Sequence, residues 1–119
     1  MRAVDWVLRA EATAIFAVGA WLAFLVSPSP WLVPPLLLVP DVSMLGYLAG
    51  PRAGAITYNA AHNLVLPIVL LVVGWMLVVV PVALAGAILL AHVGMDRALG
   101  YGLKLPSDFR DTHLGRIGR

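Results

Sequence analysis

Apolar residues dominate four stretches of this chain, and the few charges between them predict the architecture. A helix crosses a bilayer with roughly 20 mainly apolar residues. Residues 4–26 reach that length although Arg9 and Glu11 lie among them, and residues 31–50 form a second such stretch. From Leu64 to Ala91 there is no charged residue, a run too long for one span and too short for two. Extended back to Ala53 and forward to Arg97, it divides into spans over 53–73 and 77–97 about a tight turn near Gly74 and Trp75. The pattern predicts an all-α, antiparallel bundle of four transmembrane helices within residues 1–99. Residues 100–119 break it, with glycines at 100, 102, 115 and 118 among Lys104, Pro106, Asp108, Asp111 and His113, and read as a short cytoplasmic tail.

Composition removes the soluble alternative. The chain has 119 residues, 61% hydrophobic and 12% charged, with a mean hydropathy of +0.94, more apolar surface than a soluble domain of this size can bury. It has no cysteine, which rules out disulfides and thiolate metal sites. A cleaved signal peptide competes for the N-terminus. However, Ser27-Pro28-Ser29-Pro30 lacks the small-x-small pattern of a cleavage site and Glu11 heads the apolar run, so the first stretch is expected to stay as a span.

Charge placement sets the expected orientation. Arg2 and Arg9 flank the start of the first span, Arg52 separates the second from the third, and Arg97, Lys104, Arg110, Arg116 and Arg119 follow the fourth. The other two connections carry no basic residue, so all of these charges fall on one side, which the positive-inside rule makes cytoplasmic. The expectation is a multi-pass inner-membrane protein with both termini in the cytoplasm. Trp6, Trp21, Trp31 and Trp75 fall near span ends, where indoles favour the headgroup region.

Five ionisable residues, Glu11, Asp41, His62, His92 and Asp96, sit inside these stretches toward the cytoplasmic side. At about 1.5 Å per residue, Glu11 is roughly 10 Å deep, Asp41 and His62 roughly 13 Å and His92 about 8 Å, with Asp96 nearer the surface. A carboxylate in mid-span costs roughly 2.5 to 3.5 kcal/mol on insertion scales, so such groups turn inward and find partners. One shared pocket is expected. Tyr58, Asn59 and His62 project from one helical face, and His92 and Asp96 form an i, i+4 pair. Pro40 has no N–H to donate, so it should free the Leu36 carbonyl and kink the second span just before Asp41.

Two histidines with carboxylates suit a divalent metal such as zinc, with Asp41, His62, His92 and Asp96 as candidate ligands. Glu11, Asp41, Asn59 and Tyr58 are the candidates for catalytic and substrate-orienting roles. An ion with an open position activates water, which would serve ester hydrolysis. The competing account is that these side chains are hydrogen-bonding glue between helices. Gly46, Gly50 and Gly54 form a small-x-x-x-small series, read either as a homodimer face or as close packing within the bundle. The tail either lies against anionic headgroups or folds back as a lid, with Lys104 or His113 contributing to the site.

Four functions remain open on the residues. The first is a metal-dependent hydrolase acting on a lipid or lipid-linked ester at the cytoplasmic leaflet. The second is a small oligomeric transporter or proton-coupled carrier. The third is a haem protein with His62 and His92 as axial ligands, and the fourth a structural membrane subunit. Membrane lipids are the expected partners. No feature of the sequence points to nucleic acid, a phosphate loop or a serine nucleophile.

Several segments resemble a family of small bacterial integral-membrane proteins known only as a domain of unknown function. The resemblance rests on Glu11, the run from Pro40 to Tyr47, Tyr58-Asn59 with His62, His92 to Arg97, Gly100 to Lys104, and Phe109 leading to Thr112-His113-Leu114. A weaker likeness is to membrane-bound metal-dependent hydrolases, which carry a Pro-Asp-x-Asp element, further histidines and a His-x-x-x-Asp pair. Here Ser43 stands in place of the second Asp, and only His62 is available for the histidine-rich segment. That likeness implies hydrolysis over other chemistries.

Overall fold

A computed structural model describes residues 2–118. Its elements are α1 (Ala3–Val26), a 3-10 turn (Pro30–Leu32), α2 (Val33–Leu36), a long 3-10 helix (Val39–Ala49), α3 (Pro51–Ala61), α4 (Val65–Leu77), α5 (Val80–Ala98) and a hairpin of β1 (Asp111–Thr112) and β2 (Gly115–Arg116). Among the described residues, four helical stretches are long and apolar enough to cross a membrane: Ala3–Val26, Pro30–Ala49, Pro51–Leu77 and Val80–Ala98. The chain is a four-span helical membrane protein. Arg119, one of the basic residues assigned to the tail, lies outside the described residues.

The helix α5 is central, packed against α1 on one side and α4 on the other, while α3 pairs with the long 3-10 helix. Small residues bring these backbones together, as expected where lipid supplies no hydrophobic drive for helix association. A Cβ added to Gly19 would stand 2.5 Å from the Ala91 nitrogen, and one on Gly94 would stand 2.4 Å from that of Phe16. The buried face of α1 runs through Ala12, Gly19 and Ala23. Trp6, Trp21, Trp31 and Trp75 are all exposed.

Two spans depart from regular α-helix, each at a proline. The second is wound mainly as 3-10 helix, with Pro34, Pro35 and Pro40 withholding N–H groups from it. The third is interrupted at 62–64 between α3 and α4. The cause is Pro67, whose missing N–H and bulky ring are incompatible with a helical bond to Asn63 four residues earlier. Asn63 bridges the gap with its side chain: Nδ2 donates to the Asn59 and Ala60 carbonyls, and Oδ1 accepts the Leu66 N–H, all at 2.9 Å.

The turn between the last two spans lies at Val78 and Val79 rather than near Gly74. Gly74 is taken up in packing, since a Cβ there would meet the Ala83 nitrogen at 2.4 Å, and Pro81 favours a helix start at Val80. Val78 closes α4 in the left-handed region at φ 56°. Gly46 packs against Thr57 and Gly54 against Tyr47, both within the chain, while Gly50 has nothing within 4 Å. Close packing therefore accounts for two of the three glycines considered for a dimer face.

Candidate metal centre

His62 follows the last residue of α3 and has left helical geometry, at φ −117° and ψ 21°. Its ring stacks on Tyr58 at 3.7 Å between centroids and 5° between planes. His92 comes from the second half of α5 and is fully buried. His62 Nδ1 lies 2.8 Å from the Tyr58 carbonyl oxygen, and His92 Nδ1 bonds the Leu37 carbonyl. A carbonyl only accepts, so each Nδ1 carries the proton, and each neutral ring is left with a bare Nε2 lone pair.

The two Nε2 atoms stand 3.1 Å apart. Asp41 Oδ1 is 3.2 Å from the nitrogen of His62 and 3.0 Å from that of His92. Asp96 Oδ2 lies 3.7 Å and 3.4 Å from the same two atoms. All four ligand atoms fall within 4.8 Å of one another. Two lone pairs and two carboxylates facing one point repel unless a proton or a cation lies among them. A tetrahedral ion with bonds of about 2.0 to 2.1 Å has ligand separations of about 3.3 to 3.4 Å, and the five separations in the cluster bracket that value. Nδ1 donation to a main-chain carbonyl is also the usual outer-shell support of a metal-binding histidine.

The Leu37 carbonyl explains a difference from the expected kink. An α-helical count frees Leu36, four residues before Pro40, but 3-10 winding pairs residues three apart. The missing N–H of Pro40 therefore leaves Leu37 without its partner, and His92 takes it up. Asp41 resumes the pattern, with its N–H on Leu38 at 3.2 Å.

Of the residues singled out in the sequence, Asp41, His62, His92 and Asp96 meet at the cluster. Tyr58, 4% exposed, borders it and donates its hydroxyl to Asp96 Oδ2 at 3.1 Å. Asn59 is directed elsewhere: its Oδ1 accepts the Lys104 N–H at 2.7 Å and its Nδ2 donates to the Lys104 carbonyl at 2.8 Å. Glu11 is exposed and outside the cluster. It sits one residue, about 100° of helix rotation, from Ala12 on the face that packs inward. Depth along a span carries no information about that rotation. A haem between His62 and His92 has no room, because axial nitrogens about 2 Å to either side of an iron would stand about 4 Å apart, against the 3.1 Å found.

The tail folds back over the cluster. Asp41, Tyr58 and Asp96 line a pocket of about 290 Å³ together with Lys104, Phe109 and Ile117 from the tail. Lys104 is 4% exposed. Its ammonium lies 3.9 Å from the Phe109 ring centre and 5.0 Å from that of Tyr58, in cation–π range. Burial pushes its pKa down, with the charge of Asp96 opposing. Tail residues pair antiparallel, with the Leu105 N–H on the Asp111 carbonyl at 2.9 Å and the His113 N–H on the Leu103 carbonyl at 3.0 Å. His113 does not line this pocket.

Sequence reasoning missed three contributors. The Leu37 carbonyl needed the helix type. The break at 62–64 was signalled by Pro67, which lies within the expected third span. Arg97 turns back to the broken helix, its Nη2 donating to the His62 carbonyl at 3.4 Å, and nothing local foretold that contact.

Fold and cluster together define a small helical membrane protein with a two-histidine, two-aspartate group between its spans. The chain belongs to the family described as Domain of unknown function (DUF4260), which it matches over residues 5–117. No curated protein and no solved structure matches it.

Proposed function

We propose that Asp41, His62, His92 and Asp96 bind a divalent metal, zinc fitting the donor set best, and that the protein is a metal-dependent hydrolase of a lipid or lipid-linked ester. The supporting observation is the pair of bare Nε2 atoms 3.1 Å apart, flanked by two carboxylates. When bound, such an ion would supply Lewis-acid activation of water and of the ester oxygen, for which it needs a coordination position beyond these four ligands. Asp41 engages both histidines through Oδ1, and its side chain is 37% exposed toward the pocket. Its second oxygen is the candidate general base. Tyr58 holds Asp96 in place, and the Lys104 ammonium offers positive charge at the pocket wall.

A lipid substrate is favoured by an apolar groove of about 340 Å³ that includes Leu36, Val39, Pro40, Leu84 and Ile88. Pro40 adjoins Asp41 and Ile88 lies one turn before His92, so an acyl chain in the groove would end beside the cluster. We place both termini and the pocket at the cytoplasmic leaflet of the inner membrane, because the start of α1, the end of α5 and the tail bring Arg2, Arg9, Arg97 and His113 into one basic region.

The test is elemental analysis of detergent-purified protein, with ester hydrolysis followed before and after chelation. One metal per chain, lost in His92→Gln and Asp41→Asn, with activity that chelation abolishes and zinc restores, is the expected result. Metal-free protein whose behaviour ignores chelators would remove this reading. A second reading, a proton-coupled carrier, is favoured by the interruptions of the second and third spans beside buried ionisable groups. It requires an oligomer, for which Gly50 remains open, and predicts proteoliposome flux abolished by Asp41→Asn.

A further inference from the structure

A second polar cavity, of about 390 Å³, lies at the start of α1 and is lined by Arg2, Leu8, Arg9, Arg97, Gly100 and His113 among others. Its charges do not balance. Arg2 is matched by Asp5, with Nη2 to Oδ1 at 3.0 Å and Nε to Oδ2 at 3.2 Å. Among the described residues, neither Arg9 nor Arg97 has a carboxylate within 4.0 Å. Arg97 is half-buried. Its side-chain hydrogen bond goes to the neutral His62 carbonyl at 3.4 Å, and the neighbouring Asp96 carboxylate acts on it only from beyond salt-bridge distance.

The Arg9 guanidinium reaches over Gly100, where a Cβ would stand only 2.7 Å from Nη2, so no side chain there intervenes. His113 adds a neutral donor: its Nδ1 accepts the Leu103 N–H at 2.8 Å, which leaves Nε2–H as the free donor. Asp5, the carboxylate that also lines the cavity, is taken up by Arg2, so two guanidinium groups and an imidazole N–H line it without an anion of their own.

We infer that Arg9, Arg97 and His113 form a binding site for a phosphate group, separate from the Asp–His cluster. The planar forks of two arginines match phosphate oxygens bidentately. Leu8 and the neighbouring apolar face of α1 are exposed beside the cavity, which places it where a lipid headgroup phosphate arrives; a free phosphate offers the same chemistry. The inference does not depend on the metal.

The test is thermal unfolding and binding of the full chain in nanodiscs of phosphatidylcholine alone or mixed with phosphatidylglycerol, and in detergent with inorganic phosphate. The anionic lipid is expected to stabilise the wild type, and Arg9→Gln to weaken binding about tenfold, the loss of one charge-assisted bond. Stabilisation by the anionic lipid alone assigns the headgroup. An equal, Arg9-dependent response to inorganic phosphate assigns the free ion. Equal stabilisation by both lipids that Arg9→Gln weakens assigns the phosphate the two headgroups share. Absence of any response to either lipid and to inorganic phosphate, or full binding in an Arg9→Gln protein that keeps wild-type helix content, overturns the site.

Discussion

Replacing Tyr58 with Phe isolates the support of the proposed metal centre from its ligands. The substitution deletes one hydroxyl, the donor to Asp96 Oδ2 at 3.1 Å, and keeps the ring that stacks on His62 at 3.7 Å. Tyr58 is 4% exposed, so no bulk water replaces the lost donor. A hydrogen bond to a charged group contributes about 1.5 to 3 kcal/mol, and loss of an outer-shell partner typically lowers metal affinity about 10- to 100-fold. The two magnitudes agree, since about 1.4 kcal/mol corresponds to a factor of ten. Zinc affinity measured by competition with a chromophoric chelator should fall by that factor, with circular dichroism unchanged. Wild-type affinity in Tyr58→Phe would refute the idea that Asp96 is a ligand held by this hydroxyl.

Four other outcomes follow from the same contacts. Glu11→Gln should leave zinc affinity at the wild-type value, because Glu11 is exposed and outside the cluster; a loss on titration would contradict that placement. Gly94→Ala drives a Cβ toward the Phe16 nitrogen at 2.4 Å and the Ala12 carbonyl at 2.9 Å, a backbone collision that should cost about 1 to 3 kcal/mol in thermal unfolding. Asn59→Leu removes both hydrogen bonds to the Lys104 main chain, each contributing about 1 kcal/mol. Trypsin should then cleave at Arg110 faster with metal content unchanged, and unaltered cleavage would show that the tail is held by other contacts. Burial, aided by the charge of Arg97, holds His113 below the usual imidazole range, whereas the undocked tail titrates near about 6.5. As pH falls through that value the free tail takes up its proton first, so docking is at full strength above it and weakens below. Protection of Arg110 that increases on acidification would reverse this sign.

Much of the fold was legible because a membrane span is a local property. Twenty consecutive apolar residues favour a helix in lipid whatever their neighbours do, so four spans could be counted. The missing N–H of proline is equally local, and Pro40 correctly marked a disturbance beside Asp41. The residue types of the cluster were readable too, since ionisable groups in mid-span must find partners.

The rest depends on rotation and winding, which arise from contacts between segments distant in the chain. Glu11 stays exposed and outside the cluster because Ala12, Gly19 and Ala23 form the face that α1 buries. Helix type moved the freed carbonyl from Leu36 to Leu37, and with it the acceptor that orients His92. Asn59 anchors the tail because Lys104, 45 positions later, arrives at its amide. Hydropathy marked the spans and the polar residues within them; packing of small residues between helices decided which of those face one another, because a span is a local property while azimuth follows from the neighbouring surface.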